Sequence, residues 1–129
     1  MIIKRISFNL RIFSRCLEIL YFYKFKKFNI CINKIKFKKN RFFLKSSPNY
    51  LSKKINFFSD LLFQSNCFYK SMCLYSLLND REEVELIIGI RKSEEDEVLS
   101  HSWVEINGLP LNEKKLVNEF KPLLRMKKK

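Results

Sequence analysis

The chain contains no alanine and no threonine, and only two glycines, three prolines, one histidine and one tryptophan in 129 residues. So little glycine leaves few turn signals along the first half of the sequence. One histidine and four cysteines (Cys16, Cys31, Cys67 and Cys73), none spaced C-x-x-C, mean that a tetrahedral zinc site would need scattered ligands. No run approaches eighteen apolar residues, so no membrane-spanning helix is expected. The opening "MIIKRISFNLRIFSRCL" has Arg11 and Arg15 where a secretory signal needs an unbroken apolar stretch, and it lacks a small-residue cleavage site. Basic and free of acids, it resembles an organelle transit peptide only faintly. Reduced thiols in a cytoplasmic protein are the expectation.

What is present is basic and aromatic. The formal net charge is +13, and hydrophobic residues make up 47% of the chain, too many for full disorder. The charge sits in one half: residues 1–58 carry fifteen Lys and Arg against a single acid, Glu18, whereas residues 59–129 carry eleven against twelve. Lys, Asn, Ile and Phe dominate, the residues an AT-rich coding sequence supplies most readily. Nucleotide bias therefore competes with an anionic partner or a membrane surface as the source of the charge. No nucleic-acid-binding motif emerges, and no nucleic acid is expected as a partner. A peripheral membrane contact stays open.

Along the chain, residues 1–46 have mixed periodicity. Ile6, Phe8, Leu10 and Ile12 alternate as in a strand, as do Phe28, Ile30 and Ile32, while "CLEILYFYKFKKF" between them has a helical pattern. "SSPNY" marks a loop and a helix start. Leu51, Ile55, Phe58 and Leu62 then form a helical stripe, and Ser65 and Asn66 offer caps for a second helix, "CFYKSMCLYSLLND". "VELIIGI" is a β-branched strand, the acidic "RKSEEDE" a loop, and "VLSHSWVEI" a second strand. Asn107-Gly108 signals a hairpin returning through "LPLNE". A short helix stopped near Pro122 and a solvated basic end are expected last. No internal repeat is visible.

Cys67 falls at the start of a helix, where unpaired N–H groups carry partial positive charge that favours a thiolate and can hold an oxyanion. His101 is the only imidazole available to activate it and to protonate a leaving amine. A lone histidine is more often structural. An orienting group would strengthen the catalytic alternative. With a two-residue turn at Asn107-Gly108, Ile106 faces Leu109 and Asn112 comes to the His101 side; a bulged three-residue turn brings Glu113 there instead. Glu105 shares the strand face but lies about 13 Å along it, and a solvated sheet residue is expected. Cys16, Cys31 and Cys73 suit small core positions.

The segments "CFYKSMCLYSLL", "ELIIGI" and "HSWVEINGLPLNE" resemble the leader peptidases of lasso-peptide biosynthesis, the transglutaminase-like, microcin-processing family. The likeness spans about residues 50–120. It implies an α+β fold, a papain-like cysteine peptidase core with helices packed on a small antiparallel sheet. It implies a catalytic core over 49–123, which leaves the basic, aromatic-rich segment over 1–48 before it and a basic tail over 124–129 after it. Carried over by position, Cys67 is the nucleophile, His101 the general base and acid, and Glu113 the acidic member. This chain has glutamate there where the family has aspartate, which keeps Asn112 as an alternative orienter. Ser102 stands for the usual alanine, and Lys70 for a common arginine. Trp103 and Ser71 are expected to support the fold or shape the site.

The resemblance implies release of a leader from a ribosomally made precursor peptide. The implied partners are the precursor, a leader-recognition protein and a macrolactam synthetase resembling asparagine synthetase. No cofactor is expected on the chain itself; any ATP requirement would lie with the synthetase. Two other readings compete: a transglutaminase-like acyl transferase or inactive peptide binder, and a basic nucleic-acid or membrane-surface binder.

Overall fold

The computed structural model describes residues 2–27, 33, 43, 46–64, 66–79, 83–111 and 119–127. Among the described residues, three helices, α1 (Ile2–Phe25), α2 (Pro48–Leu61) and α3 (Cys67–Leu78), pack on one face of an antiparallel sheet. The strands are β1 (Val84–Lys92), β2 (Val98–Ile106), β3 (Leu109–Pro110) and β4 (Lys121–Met126), in the spatial order β3-β2-β1-β4. The architecture is α+β, as expected.

α3 is the central element. Nine of its twelve residues are buried, the all-round burial of a helix enclosed by other structure. The Asn66 side chain caps it, accepting the Tyr69 N–H at 2.8 Å and satisfying one of the donors a helix start leaves unpaired. α2 begins with Pro48 in its first turn, where a missing N–H costs nothing. It ends as Phe63 takes a left-handed conformation, φ 58°. Leu51 and Ile55 of its stripe are buried, and Phe58 and Leu62 pack at the margin of the core.

The first segment departs from expectation. Ile6 through Ile12 lie in α1, because burial selects Ile12, Cys16 and Ile19, spaced four and three residues apart on one helical face. Ile6 and Leu10, which gave the alternating pattern, stay exposed. α1 joins the core directly: the Tyr69 hydroxyl donates to the Cys16 carbonyl at 2.5 Å, and Arg15 Nη1 donates to the Ser76 carbonyl at 2.8 Å. Burial lowers the Arg15 guanidinium from its ordinary value. The suggested strand at Phe28, Ile30 and Ile32 lies outside the described residues, as does Cys31. Cys16 and Cys73 are fully buried, and desolvation pushes the Cys73 thiol well up.

β1 and β2 form a nine-residue ladder from Val84↔Ile106 to Lys92↔Val98. Asn107 (φ 54°) and Gly108 (φ 79°) make the two-residue turn, with Ile106 opposite Leu109, the primed geometry whose twist matches the flanking strands. The short helix expected to stop near Pro122 lies mostly outside the described residues, and the end of the chain, expected as a solvated tail, forms strand β4, paired with β1 and irregular between Ile88 and Gly89. Pro122 faces Gly89 there, and an edge strand can accommodate a residue that donates no hydrogen bond.

Both faces of the sheet carry buried apolar residues. Val84, Leu86 and Val104 join the helices in the main core, whereas Ile87, Trp103 and Phe120 form a second cluster, with Leu99 packed against it.

Candidate active site

Cys67 is the first residue of α3 and is half-buried, unlike the other described cysteines. Residues 67, 70, 71 and 74 fall on one face of the helix, and Cys67, Lys70, Ser71 and Leu74 all line a cavity of about 210 Å³. α2 contributes Ser52, Ile55 and Asn56 to it, and the sheet adds Ser102, Trp103 and Val104. A second cavity, of about 270 Å³, is lined by Cys67, Phe68, Ile88, Ser100, His101 and Ser102. Cys67 and Ser102 belong to both. Cys67 and His101, thirty-four residues apart in sequence, thus both border one cavity, while the His101 ring itself packs on Trp103 and Phe120, on the face of β2 that α3 does not cover.

His101 pairs with Gly89 across the ladder. Its ring stacks near Trp103, with centroids 5.9 Å apart and planes at 24°, and Phe120 lies 5.4 Å away. Alternation sends His101, Trp103 and Glu105 to one face of β2, and Ser102 and Val104 to the face that α3 covers. Gly89 makes room for the indole. A Cβ there would sit 2.7 Å from Trp103 Cη2 and 2.8 Å from Cζ3.

Glu105 is buried at 6% exposure, which corrects the expectation of a solvated residue. Its carboxylate accepts Trp103 Nε1–H at 2.9 Å and Arg125 Nη1–H at 3.0 Å. A buried carboxylate needs such partners. Arg125 also meets Glu85 at 3.6 Å, and its guanidinium is raised chiefly by the hydrogen bond to Glu105. The ring of Trp103 is therefore held from two sides, by the Glu105 carboxylate on its N–H and by the His101 ring on its face. Sequence reasoning missed Arg125 because the end of the chain did not read as a strand.

Both proposed orienters, Asn112 and Glu113, lie outside the described residues. The two-residue turn is the alternative that by parity assigns Asn112 to the His101 side, but the described β2–β3 pairing ends at Pro110. Among the described residues no group of three or more His, Cys, Asp or Glu side chains is placed to hold a metal ion.

Residues 56–125, more than half of the chain, match the Transglutaminase-like superfamily. The chain belongs to that superfamily. The matched region runs from the middle of α2 through β4 and so contains Cys67, His101 and the sheet, while α1 lies before it. This transglutaminase-like superfamily includes cysteine peptidases and acyltransferases, and its active members typically use a Cys-His-Asp set. No curated protein and no solved structure matches the chain significantly. Among the described residues no helix is long and apolar enough to cross a membrane.

Proposed function

We propose that this transglutaminase-like chain is a cytoplasmic cysteine peptidase that removes the leader from a lasso-type precursor peptide. The observation that carries the reading is the shared cavity: the half-buried cysteine at a capped helix start and the only histidine line it together. In the proposed reaction the Cys67 thiolate attacks the scissile carbonyl carbon. The carbonyl π electrons move to oxygen, and N–H groups of the first turn of α3 stabilise the oxyanion. As the C–N bond breaks, the His101 imidazolium protonates the departing amine, leaving a thioester on Cys67. His101 then takes a proton from water, which attacks the thioester and releases the leader with a new carboxylate.

Glu113, or Asn112 in its place, would accept the second imidazole N–H. Trp103 and Phe120 flank the ring on the face of β2 that α3 does not cover, so in the proposed reaction the imidazole turns from them toward Cys67. The precursor, a leader-recognition protein and a macrolactam synthetase are the proposed partners. No cofactor is needed on this chain for the steps above.

Incubation with a lasso-type precursor and its recognition protein, followed by mass spectrometry, tests the reading. Two fragments whose masses sum to the precursor plus one water support a peptidase. A conjugate with an added amine identifies an acyl transferase instead. Cys67→Ser and His101→Ala should each lower cleavage by at least about a hundredfold, general acid–base help alone being worth 10²–10⁴. Cleavage that survives both substitutions would overturn it.

A second reading has one observation in its favour. Ile2, Ile3, Ile6 and Leu10 of α1 are exposed beside Lys4 and Arg5, the composition of a helix that lies on an anionic surface. Vesicle sedimentation that depends on acidic lipid and falls with salt would support a membrane-surface role.

A further inference from the structure

Among the described residues, the cavity that Cys67 shares with α2 is lined by one cation, Lys70, and by no carboxylate, with Asn56, Ser52, Ser71 and Ser102 as the polar groups. Ser102 is only 4% exposed, and among the described residues its Oγ has no hydrogen-bond partner. A buried hydroxyl left unpaired is costly, and such groups persist where a ligand satisfies them. Alternation along β2 turns Ser102 toward α3, whose first turns carry Cys67 and Lys70. The Lys70 side chain is 27% exposed, and its ion pair with Asp60 is long, 3.7 Å, with the Asp60 side chain 66% exposed. That pair is weak enough for a second anion to share or displace it.

We propose that this cavity binds a carboxylate of the substrate beside the reacting thiol, with Lys70 as its charge partner and Ser102 Oγ–H as its second donor. The inference rests on Cys67 being the reacting group, and it adds to that reading a selection for acidic substrates. Lysine serves as a point charge, so the hydroxyl supplies the direction that an ammonium alone does not.

A pair of reagents tests it without knowledge of the peptide. Iodoacetate and iodoacetamide are close in size and alkylate a thiolate by the same displacement of iodide, but only iodoacetate carries a carboxylate. The ratio of their rates at Cys67, measured by mass spectrometry against N-acetylcysteine in the same buffer, should be raised about tenfold, on the order of one charge-assisted hydrogen bond. Lys70→Gln should return the ratio to that of the free thiol, and Ser102→Ala should lower it about threefold. Lys70→Arg, and Lys53→Gln on the exposed side of α2, should keep it. Asp60→Asn removes the competing carboxylate at an exposed site and should raise the ratio further, which keeps the test informative if Lys70→Gln fails to fold.

N-acetyl-glutamate α-amide and N-acetyl-glycine, used as competitors, distinguish a side-chain carboxylate from a chain-terminal one; slowing by either supports the proposal, and slowing by neither overturns it. A ratio equal to that of the free thiol, or a raised ratio that Lys70→Gln leaves intact, also overturns it. Anion preference without precursor cleavage would leave this site standing and remove the peptidase reading. Cleavage without anion preference would do the reverse.

Discussion

Replacing Gly89 by alanine tests how the sheet supports His101. The new Cβ would lie 2.7 and 2.8 Å from two ring carbons of Trp103 and 3.1 Å from Phe120 Cβ, about 0.7 Å short of ordinary carbon contact at the closest point. Trp103 is 3% exposed and its N–H is tied to Glu105, so the indole cannot swing away freely. Overpacking of this kind costs about 1–3 kcal/mol. Loss of glycine's freedom in the unfolded chain offsets about 0.4–1 kcal/mol. The net destabilisation should be about 1–2 kcal/mol, a fall of about 5 °C in Tm for a domain of this size. Displacement of the indole should also disturb the His101 ring stacked on it, so Cys67-dependent cleavage should fall more than stability predicts. Trp103→Phe removes the two crowding ring carbons, so in that background Gly89→Ala should cost at least 1 kcal/mol less, read as a double-mutant cycle of chemical-denaturation midpoints. Additive costs in the cycle, or a Gly89→Ala protein as stable and active as the natural one, would refute the reasoning.

Three further outcomes follow from other contacts. Burial, and after it the Glu85 charge, raises Tyr75 from 10.0 to about 12, so its neutral form is favoured in the folded state. Stability is unaffected below pH 10 and falls as pH rises from 10 toward 12, with a slope approaching one proton; because the Tyr75 hydroxyl has no hydrogen-bond partner among the described residues, Tyr75→Phe should remove that slope and leave neutral-pH stability equal or up to about 1 kcal/mol higher in pH-dependent denaturation. Asn66→Ala deletes the cap of α3 and should cost about 1 kcal/mol, while Asn66→Asp retains it, as thermal melts would reveal. Glu105→Gln keeps an acceptor for Trp103 but removes the charge facing Arg125; urea denaturation should report a loss of about 1–3 kcal/mol, and an unchanged midpoint would mean that Glu85 alone satisfies Arg125.

Local signals in the sequence were strong where backbone chemistry sets the outcome. Asn107-Gly108 specifies a turn because few other pairs tolerate two successive positive φ values. Asn66 before an apolar run marks the start of α3, and with it the position of Cys67 at a helix N-terminus. The α2 stripe and the runs of β1 and β2 were legible for the same reason: each pattern repeats at the period of its element. The first and last elements were not. Alternation over four residues of α1 resembled a strand until burial of Ile12, Cys16 and Ile19 chose between the two periods. β4 carries Pro122 and is largely exposed, so neither propensity nor an apolar pattern identified it; pairing with β1 makes it a strand.

The sequence by itself determined the residue types of the candidate site, one histidine and one cysteine at a helix start, because these depend on contacts within a few residues. Only the tertiary structure decided which groups share a cavity with that cysteine and what Glu105 does. Whether a carboxylate is solvated or buried against an indole and a guanidinium depends on strand pairing and on segments twenty residues away, and no local pattern encodes that. The same holds for Ser102: a small polar side chain becomes a buried donor with no partner among the described residues, on a cavity wall shared with Cys67, only after α3 has packed across β2.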